Sequence, residues 1–201
     1  MALPQPVRDR VWLAWFCVQI PVILCVDAVD TYPAWLCAAP GSPLHALHRF
    51  RQWYVATYND PLVQWTPDPA VRAGLGGAGG SWLPLFFALE LGFALPTALY
   101  AVYRLAGVVR GGNGGGRTTG RTTGPLELLL LVYAFETALT TAVCIHDVAY
   151  WDPAVYSVAQ KNVFRYQLMG PWLAMPALLF ADMYARLLAR FRVTDGTKKT
   201  Q

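Results

Sequence analysis

The chain carries little charge for its length. Asp, Glu, Lys and Arg together make up 14% of its 201 residues, whereas soluble domains contain about a quarter. Hydrophobic residues make up 55% of the chain, and the mean hydropathy is +0.33. This composition excludes an ordinary soluble domain and indicates a membrane protein.

Motifs for metals, nucleotides and disulfide frameworks are also lacking. The four cysteines form no CxxC pair, the three histidines show no metal-ligand spacing, and a P-loop GxxxxGK[ST] is absent. We therefore expect no metal and no cofactor. Cys37 and Cys144 are both placed near the lumenal side, where a disulfide is allowed. Free thiols are the favoured alternative, because two such cysteines need not lie close together.

Long apolar runs are abundant. Four of them approach or exceed the roughly 20 residues that cross a bilayer as a helix, and no pattern of alternating short strands is visible. The sequence predicts an all-α, polytopic four-helix membrane bundle forming one domain over residues 1–201, with spans at about 11–29, 82–103, 126–145 and 164–188.

The flanks of the spans predict an orientation. Eleven Lys and Arg residues fall on the side of the two termini and five on the other, so both termini are expected to be cytosolic. This bias explains the net charge of +4 without a nucleic-acid partner. Lys198 and Lys199, fourth and third from the end, look like a dilysine retrieval signal of the endoplasmic reticulum. The alternative is an ordinary basic tail over residues 192–201.

Two connecting segments have distinct character. Residues 107–124 are Gly-rich with a tandem RTTG, which predicts a flexible cytosolic linker. After Ser42 and Pro43, read as an N-cap and first helical position, apolar residues recur every three or four positions up to Asn59. This pattern predicts a lumenal amphipathic helix, either lying on the membrane surface or packed as a lid over the bundle.

Acidic residues within spans are costly and usually face the bundle interior. Asp27 and Glu90 are expected at similar depth near the lumenal side, where a pair of carboxyl groups can share a proton and bind an ammonium group. The alternative is a buried acid that holds helices together. Glu136 is a third candidate ligand residue, deeper in the third span. Glu127 is expected to be solvated, and Asp182 to pair structurally with Arg186.

Prolines and aromatic residues surround these acids. Prolines bend helices and can leave a cavity between them, and aromatic faces suit an apolar ligand with one cationic end. A sterol taken from the bilayer would fit this description. The candidate lining residues are Tyr54, Phe93, Tyr133 and Trp172, and the candidate structural prolines are Pro96 and Pro171.

A series of motifs then gives a family resemblance. In chain order they are Ile20-Pro21 with Val26-Asp27, Trp53-Tyr54, Asn59-Asp60-Pro61-Leu62, Glu90-Leu91 with Leu95-Pro96, and Pro171-Trp172 with Pro176. The order resembles the EXPERA-domain family and is most similar to its sigma-2 receptor branch, which is related to the emopamil-binding sterol isomerase. The resemblance implies a homodimeric endoplasmic reticulum protein that binds sterols, oxysterols or cationic amphiphiles.

The resemblance also implies residue roles and two functions. It places the amine-binding aspartate at Asp27, its buried partner at Glu90 and a structural aspartate at Asp60, while Glu136 stands where that branch carries a histidine. The favoured function is a non-enzymatic ligand-binding protein in sterol homeostasis, with no catalytic residue. The alternative is a sterol delta-8/delta-7 isomerase, disfavoured because no histidine lies deep in a span, where that branch places its acid–base pair.

Overall fold

The computed structural model describes residues 3–66, 68–111 and 122–198, and every regular element in these ranges is helical. Four helical segments are long and apolar enough to cross a bilayer. The prediction of an all-α, four-span membrane protein is confirmed. We number the segments as spans 1 to 4: Gln5–Thr31, Leu83–Gly111, Gly124–Tyr150 and Val158–Val193.

The spans are composite helices. In the described ranges the α-helices are α1 (Gln5–Cys25), α2 (His45–Tyr58), α3 (Pro69–Gly74), α4 (Leu83–Leu89), α5 (Leu95–Gly111), α6 (Gly124–Asp147), α7 (Val158–Asn162) and α8 (Gly170–Lys198). Short 3-10 turns, Asp27–Thr31 and Val148–Tyr150, extend spans 1 and 3. Two π-helical stretches, Glu90–Ala94 and Val163–Leu168, interrupt spans 2 and 4.

The helices pair within one hydrophobic core. α6 packs along α8, and α1 packs along α5. Small residues on α5, including the fully buried Ala98 and Ala101, allow two helix backbones to approach closely. The centre of the core contains large side chains that are at most 1% exposed: Phe16, Leu105, Leu130, Tyr133, Leu179 and Met183.

A buried ionic network joins α1 and α8 on the side of the bundle where both termini lie, here called the terminus side. The Arg186 guanidinium donates to Asp9 Oδ1 at 2.6 Å and to Asp182 Oδ2 at 2.7 Å. Asp182 also accepts from Arg8 and from the Trp12 indole. The predicted structural pair of Asp182 and Arg186 is confirmed, and it belongs to a larger network that holds the two helices together.

The expectation of a solvated Glu127 is wrong. Glu127 is 1% exposed, and its Oε1 accepts from Thr122 Oγ1 at 2.6 Å and from Arg190 Nη2 at 2.9 Å. Arg190 reaches it because α8 continues beyond the predicted span end at residue 188. The acid is therefore a structural link between α6 and α8.

Helix ends differ from the predicted span ends. α1 starts at Gln5, six residues before the apolar run, because its charged first turns are paired within the bundle. α5 continues through Gly107 to Gly111, and α6 begins at Gly124. The ends of the predicted linker, residues 107–124, are therefore helical, and residues 112–121 lie outside the described residues. α8 extends to Lys198, whereas Lys199 lies outside them.

The helix between spans 1 and 2 is confirmed, but its predicted N-cap is wrong. α2 begins at His45, and Leu44 precedes it without a side-chain capping bond. Leu44 N donates to Leu36 O at 2.9 Å, so the chain folds back in a closed turn before the helix starts. The predicted end is correct: Asn59 adopts a left-handed conformation with φ of 48°, which suits asparagine.

All four cysteines, Cys17, Cys25, Cys37 and Cys144, are free thiols. Cys37 is buried and donates weakly to Leu44 O. The disulfide alternative is therefore not realised in this structure, and the side of the bundle opposite the termini, here called the loop side, is held by packing and hydrogen bonds.

Candidate functional site

Two neighbouring aspartates at the end of span 1 have separate environments. α1 ends at Cys25, and Asp27 opens the 3-10 turn that follows. Asp30, three residues later, is exposed and forms an ion pair with Arg51 of α2. Asp27 is half-buried, and no hydrogen bond joins its carboxyl group to another described residue. The turn thus directs one acid to the surface and one toward the bundle.

Glu90 opens the π-helical stretch of span 2. Leu95 N donates to Glu90 O, five residues back, and Pro96 follows without a backbone donor. π-helical turns inside α-helices are frequent at functional sites. Pro96 therefore lies directly after the point where the helix geometry changes, and its structural role stays a prediction.

Glu136 lies in the middle of α6, in span 3. Thr137 Oγ1 donates to Glu136 Oε2 at 3.3 Å, so one carboxylate oxygen is partly satisfied within its own helix. The neighbouring Thr140 and Thr141 donate to backbone carbonyl groups. Among these threonines, Thr137 is therefore the one that donates to the Glu136 carboxyl group.

Glu90 lies close enough to Asp27 and to Glu136 to act electrostatically on both. Asp27 and Glu90 interact across spans 1 and 2, and Glu90 and Glu136 interact across spans 2 and 3. The two residues expected at similar depth are thus brought together, and Glu136 joins them as a third member. We refer to Asp27, Glu90 and Glu136 as the acid cluster.

A second layer of the site comes from α2 and the turn after it. Tyr54 Oη donates to Asp60 Oδ2 at 2.7 Å, and Asp60 Oδ1 accepts from Leu62 N at 2.9 Å. Asp60 is 2% exposed, and both Asp60 and Tyr54 act electrostatically on Asp27. Asp60 therefore holds the turn through these hydrogen bonds and also lies close enough to act on Asp27.

Burial shapes the protonation of this layer. Removal from water raises the pKa of the Asp60 carboxyl, while the Tyr54 hydroxyl and the amides of Leu62 and Val63 act in the opposite direction. Burial, followed by the nearby Asp60, raises the pKa of the Tyr54 phenol. Tyr54 therefore remains a neutral donor at physiological pH and holds the Asp60 carboxyl in place.

The aromatic candidates are mainly packed against neighbouring helices. Tyr133 is fully buried, packs on Phe16 at a ring distance of 5.2 Å and interacts electrostatically with Glu90 and Glu136. Trp172 lies against Trp15 at 4.9 Å. Phe93 is partly buried against the same core. Tyr133 is the member of this group that the structure links to the acid cluster.

Pro171 occupies a different position from the one expected. It is the second residue of α8 and follows the π-helical stretch Val163–Leu168, whereas Pro176 lies inside α8. Pro171 thus starts a helix rather than bending one, in agreement with the preference of proline for the first helical turn.

Two polar residues near the site were missed from sequence. Gln19 is 4% exposed and accepts a hydrogen bond from the Tyr133 hydroxyl. Arg51 acts electrostatically on Asp27 and Asp60, and it donates to Val63 O. A polar amide within span 1 was a usable signal for Gln19. Arg51 gave no such signal, because its position depends on how α2 is rotated.

The three histidines form ring contacts with residues outside the acid cluster. His45 and His48 pack together on α2 at a ring distance of 5.9 Å, and His146 packs on Tyr150 at the end of span 3. Within the described ranges, no group of three or more His, Cys, Asp and Glu side chains has the arrangement of a metal site. The chemistry of this region is therefore that of carboxyl groups, phenols and one guanidinium.

Comparison with known proteins identifies the lineage. A family model described as EXPERA (expanded EBP superfamily) matches residues 46–183, well over half of the 201-residue chain. The chain belongs to the EXPERA family. The resemblance inferred from the motifs is thereby confirmed at the level of the family. The matched segment of this EXPERA protein includes Glu90, Glu136 and Asp60, while Asp27 precedes it.

A curated relative extends the similarity to most of the chain. The "Efficient mitochondria targeting-associated protein 19" of Schizosaccharomyces pombe (strain 972 / ATCC 24843) is 24% identical over 180 residues. The alignment covers 90% of this EXPERA protein and 76% of the relative. The similarity therefore includes span 1 or span 4 residues beyond the family match.

The acid cluster can serve two kinds of chemistry. Carboxyl groups that repel one another in a region of low dielectric favour any bound cation, since it relieves the repulsion. The same groups can exchange a proton with an apolar substrate when one of them is neutral. The second kind requires an apolar ligand able to enter between spans 1, 2 and 3.

Proposed function

We propose that this EXPERA-family membrane protein binds sterols or cationic amphiphiles between its spans, with the cationic or polar end of the ligand at the acid cluster. The supporting observation is the convergence of Asp27, Glu90 and Glu136 from three different spans. Neither Asp27 nor Glu90 has a side-chain hydrogen bond to another described residue. Two carboxyl groups that repel one another in a region of low dielectric are costly unless a proton or a cation accompanies them.

The two sides of the proposed site have complementary chemistry. Trp172 and Phe93 supply apolar surface near the core, and Tyr133 supplies a buried ring beside the acids. Aromatic surface and a carboxylate together recognise a cation on an apolar body. A tertiary amine attached to a sterol-sized skeleton therefore fits better than a small inorganic cation.

Binding experiments with three variants test the proposal. The purified chain is reconstituted in nanodiscs, and the dissociation constant of a fluorescent sterol bearing a tertiary amine is measured. Since a hydrogen bond to a charged group contributes about 1.5–3 kcal/mol, Asp27→Asn or Glu90→Gln should weaken binding roughly 10- to 150-fold. Asp30→Asn, which changes an exposed acid in the same turn, is the matched control.

The neutral hydroxyl counterpart of the probe separates charge from shape. It should bind the wild type and both variants with similar affinity, because it has no cation for the acids to stabilise. Unchanged affinity of the amine probe in both Asp27→Asn and Glu90→Gln would refute the acid cluster as the cation site.

An isomerase acting on sterol double bonds is the second candidate. The interaction of Glu90 with Glu136 and Tyr133 favours it, because coupled acidic groups in an apolar site can donate and remove a proton. The position of all three histidines, on α2 or in the last turn of α6, argues against it. Expression in cells that lack sterol isomerase decides: conversion of delta-8 to delta-7 sterol would establish enzymatic activity.

We also propose that the protein resides in the endoplasmic reticulum membrane with both termini cytosolic and forms a homodimer. The Lys and Arg bias of the flanks and Lys198–Lys199 support the location. The name of the Schizosaccharomyces pombe relative concerns mitochondrial targeting, which makes a contact between the two organelles a reasonable setting. Replacing both lysines with alanine should release a tagged chain from the endoplasmic reticulum in fluorescence microscopy.

A further inference from the structure

Helix α2 presents an aromatic surface that the rest of the chain leaves uncovered. Phe50 is 46% exposed and Trp53 is 55% exposed. Their rings stack at 5.6 Å, and Tyr58 packs edge-on against Trp53 at 6.3 Å. α2 has no buried residue at all. We call Phe50, Trp53 and Tyr58 the α2 aromatic face.

The opposite flank of α2 attaches the helix to the bundle. Arg51 pairs with Asp30, and Tyr54 donates to Asp60. The neighbouring Trp53 is exposed, whereas Tyr54 is partly buried and packs on Tyr58 at a ring distance of 5.0 Å. Phe50 and Trp53 are therefore the most exposed part of the α2 aromatic face, and Tyr58 connects this face to the flank that holds the helix.

The position of α2 relative to the membrane follows from its contacts. It packs against the 3-10 turn Asp27–Thr31, the last turn of span 1. The exposed Arg49 lies one helical turn before Trp53. A helix with exposed tryptophan and phenylalanine flanked by arginine, located at the end of a span, has the composition of an interfacial helix.

Other exposed aromatic residues occur near the same ends of other spans. Trp35 follows span 1 and is 70% exposed, Tyr150 ends span 3 and is 70% exposed, and Tyr166 lies near the start of span 4 and is 72% exposed. Tyrosine and tryptophan concentrate where a membrane meets water. Because these residues lie at or near the ends of three different spans, they suit a bilayer that surrounds the protein better than a second copy that covers one patch.

We propose that α2 is an interfacial helix whose aromatic face, Phe50, Trp53 and Tyr58, is inserted among the headgroups and upper acyl chains of the phospholipid bilayer on the loop side. The bilayer is the occupant of this surface. The same helix then links the membrane surface to the acid cluster, with Arg51 and Tyr54 on its protein-facing flank. This inference does not depend on the proposed ligand.

Nitroxide accessibility tests the proposal. A background in which the four native cysteines are replaced with alanine is reconstituted in phosphatidylcholine vesicles, and Trp53→Cys is spin-labelled. Gln52→Cys is the matched control, since Gln52 is exposed beside it on a polar flank. Collision rates with oxygen, which partitions into lipid, and with a nickel chelate, which stays in water, are compared.

Insertion predicts a ratio of oxygen to nickel collisions roughly tenfold higher at position 53 than at position 52, because the interface excludes the polar chelate. Equal ratios would show that the aromatic face is in water and would overturn the proposal. Spin–spin broadening at position 53 that disappears on dilution with unlabelled chain would also overturn it, because a second copy would then be the occupant.

A second position protects the experiment against local misfolding. Phe50→Cys should give the same high ratio as Trp53→Cys. Each labelled variant is used only if its melting temperature matches that of the cysteine-free parent. Agreement of positions 50 and 53, together with the contrast to position 52, supports insertion, whereas a low ratio at both positions contradicts it.

Discussion

The ionic network on the terminus side makes a quantitative prediction. Arg186 is 8% exposed and contacts two acids, Asp9 at 0% and Asp182 at 8% exposure. The change Arg186→Met keeps the length of the side chain but removes the guanidinium. Asp9 then loses its ion-pair partner within a fully buried position, whereas Asp182 retains Arg8 and the Trp12 indole.

The magnitude follows from this asymmetry. Removing one partner of a buried ion pair costs about 3–5 kcal/mol, because the remaining charge is left uncompensated. The double change Arg186→Met with Asp9→Leu removes that charge as well and should cost less than Arg186→Met alone. The coupling between the two positions should therefore be favourable and up to about 3 kcal/mol, as found for residues in direct contact.

Reversible unfolding in mixed micelles, followed by circular dichroism as the fraction of dodecyl sulfate increases, measures these free energies. Arg192→Met is the matched control, since Arg192 is exposed on the same helix, and it should change stability by at most about 0.5 kcal/mol. A cost of Arg186→Met equal to that of the control would refute the reasoning. It would mean that water reaches Asp9 and replaces the guanidinium.

Two further predictions concern the loop side. Gly79 has a φ of +67°, and an added Cβ would lie 2.9 Å from Trp65 Cδ1. Gly79→Ala should therefore lower the free energy of unfolding by about 1–3 kcal/mol. Gly92→Ala, where an added Cβ meets nothing within 4 Å, should show no such loss in the same assay. Burial and the nearby Asp60 raise the pKa of Tyr156 to about 12. Since this pKa exceeds the value near 10 of an unfolded tyrosine, the contribution of Tyr156 to stability is complete below pH 10 and declines as the pH rises to 12. The free energy of unfolding measured across that range should depend less on pH in Tyr156→Phe than in the wild type. The same pH dependence in both proteins would contradict the raised pKa of Tyr156.

The four spans could be predicted because each depends on a local property. A run of about 20 apolar residues needs no knowledge of its neighbours. The ends of the spans were harder to predict. Arg8 and Asp9 look like a solvated flank in sequence, and they become helical and buried only through partners on α8, more than 170 residues away. Charge pairs between distant segments leave no periodic signal.

The candidate site was partly predictable for a similar reason. Depth along the spans placed Asp27 beside Glu90, because Asp27 lies near the end of span 1 and Glu90 lies in the first turns of span 2. Rotation about each helix axis was not predictable. It decides that Tyr133 contacts Gln19, that Arg51 approaches Asp27 and Asp60, and that Trp53 is exposed while Tyr54 donates to Asp60. Apolar residues on several sides of a membrane helix give no strong preference for one rotation.

The π-helical stretch of span 2 has a consequence for how this span tolerates change in length. The bond from Leu95 N to Glu90 O encloses one residue more than an α-helical bond, and one residue advances a helix by about 100°. The extra residue thus changes how the part of span 2 that carries Glu90 is rotated about the helix axis relative to α5, which carries Ala98 and Ala101 and packs along α1. Deleting one residue among 91–94 would leave the composition and hydropathy of the span nearly unchanged, yet it would turn either the acid or the packing face away from its partners. In this span, residue count carries information that no hydropathy profile records.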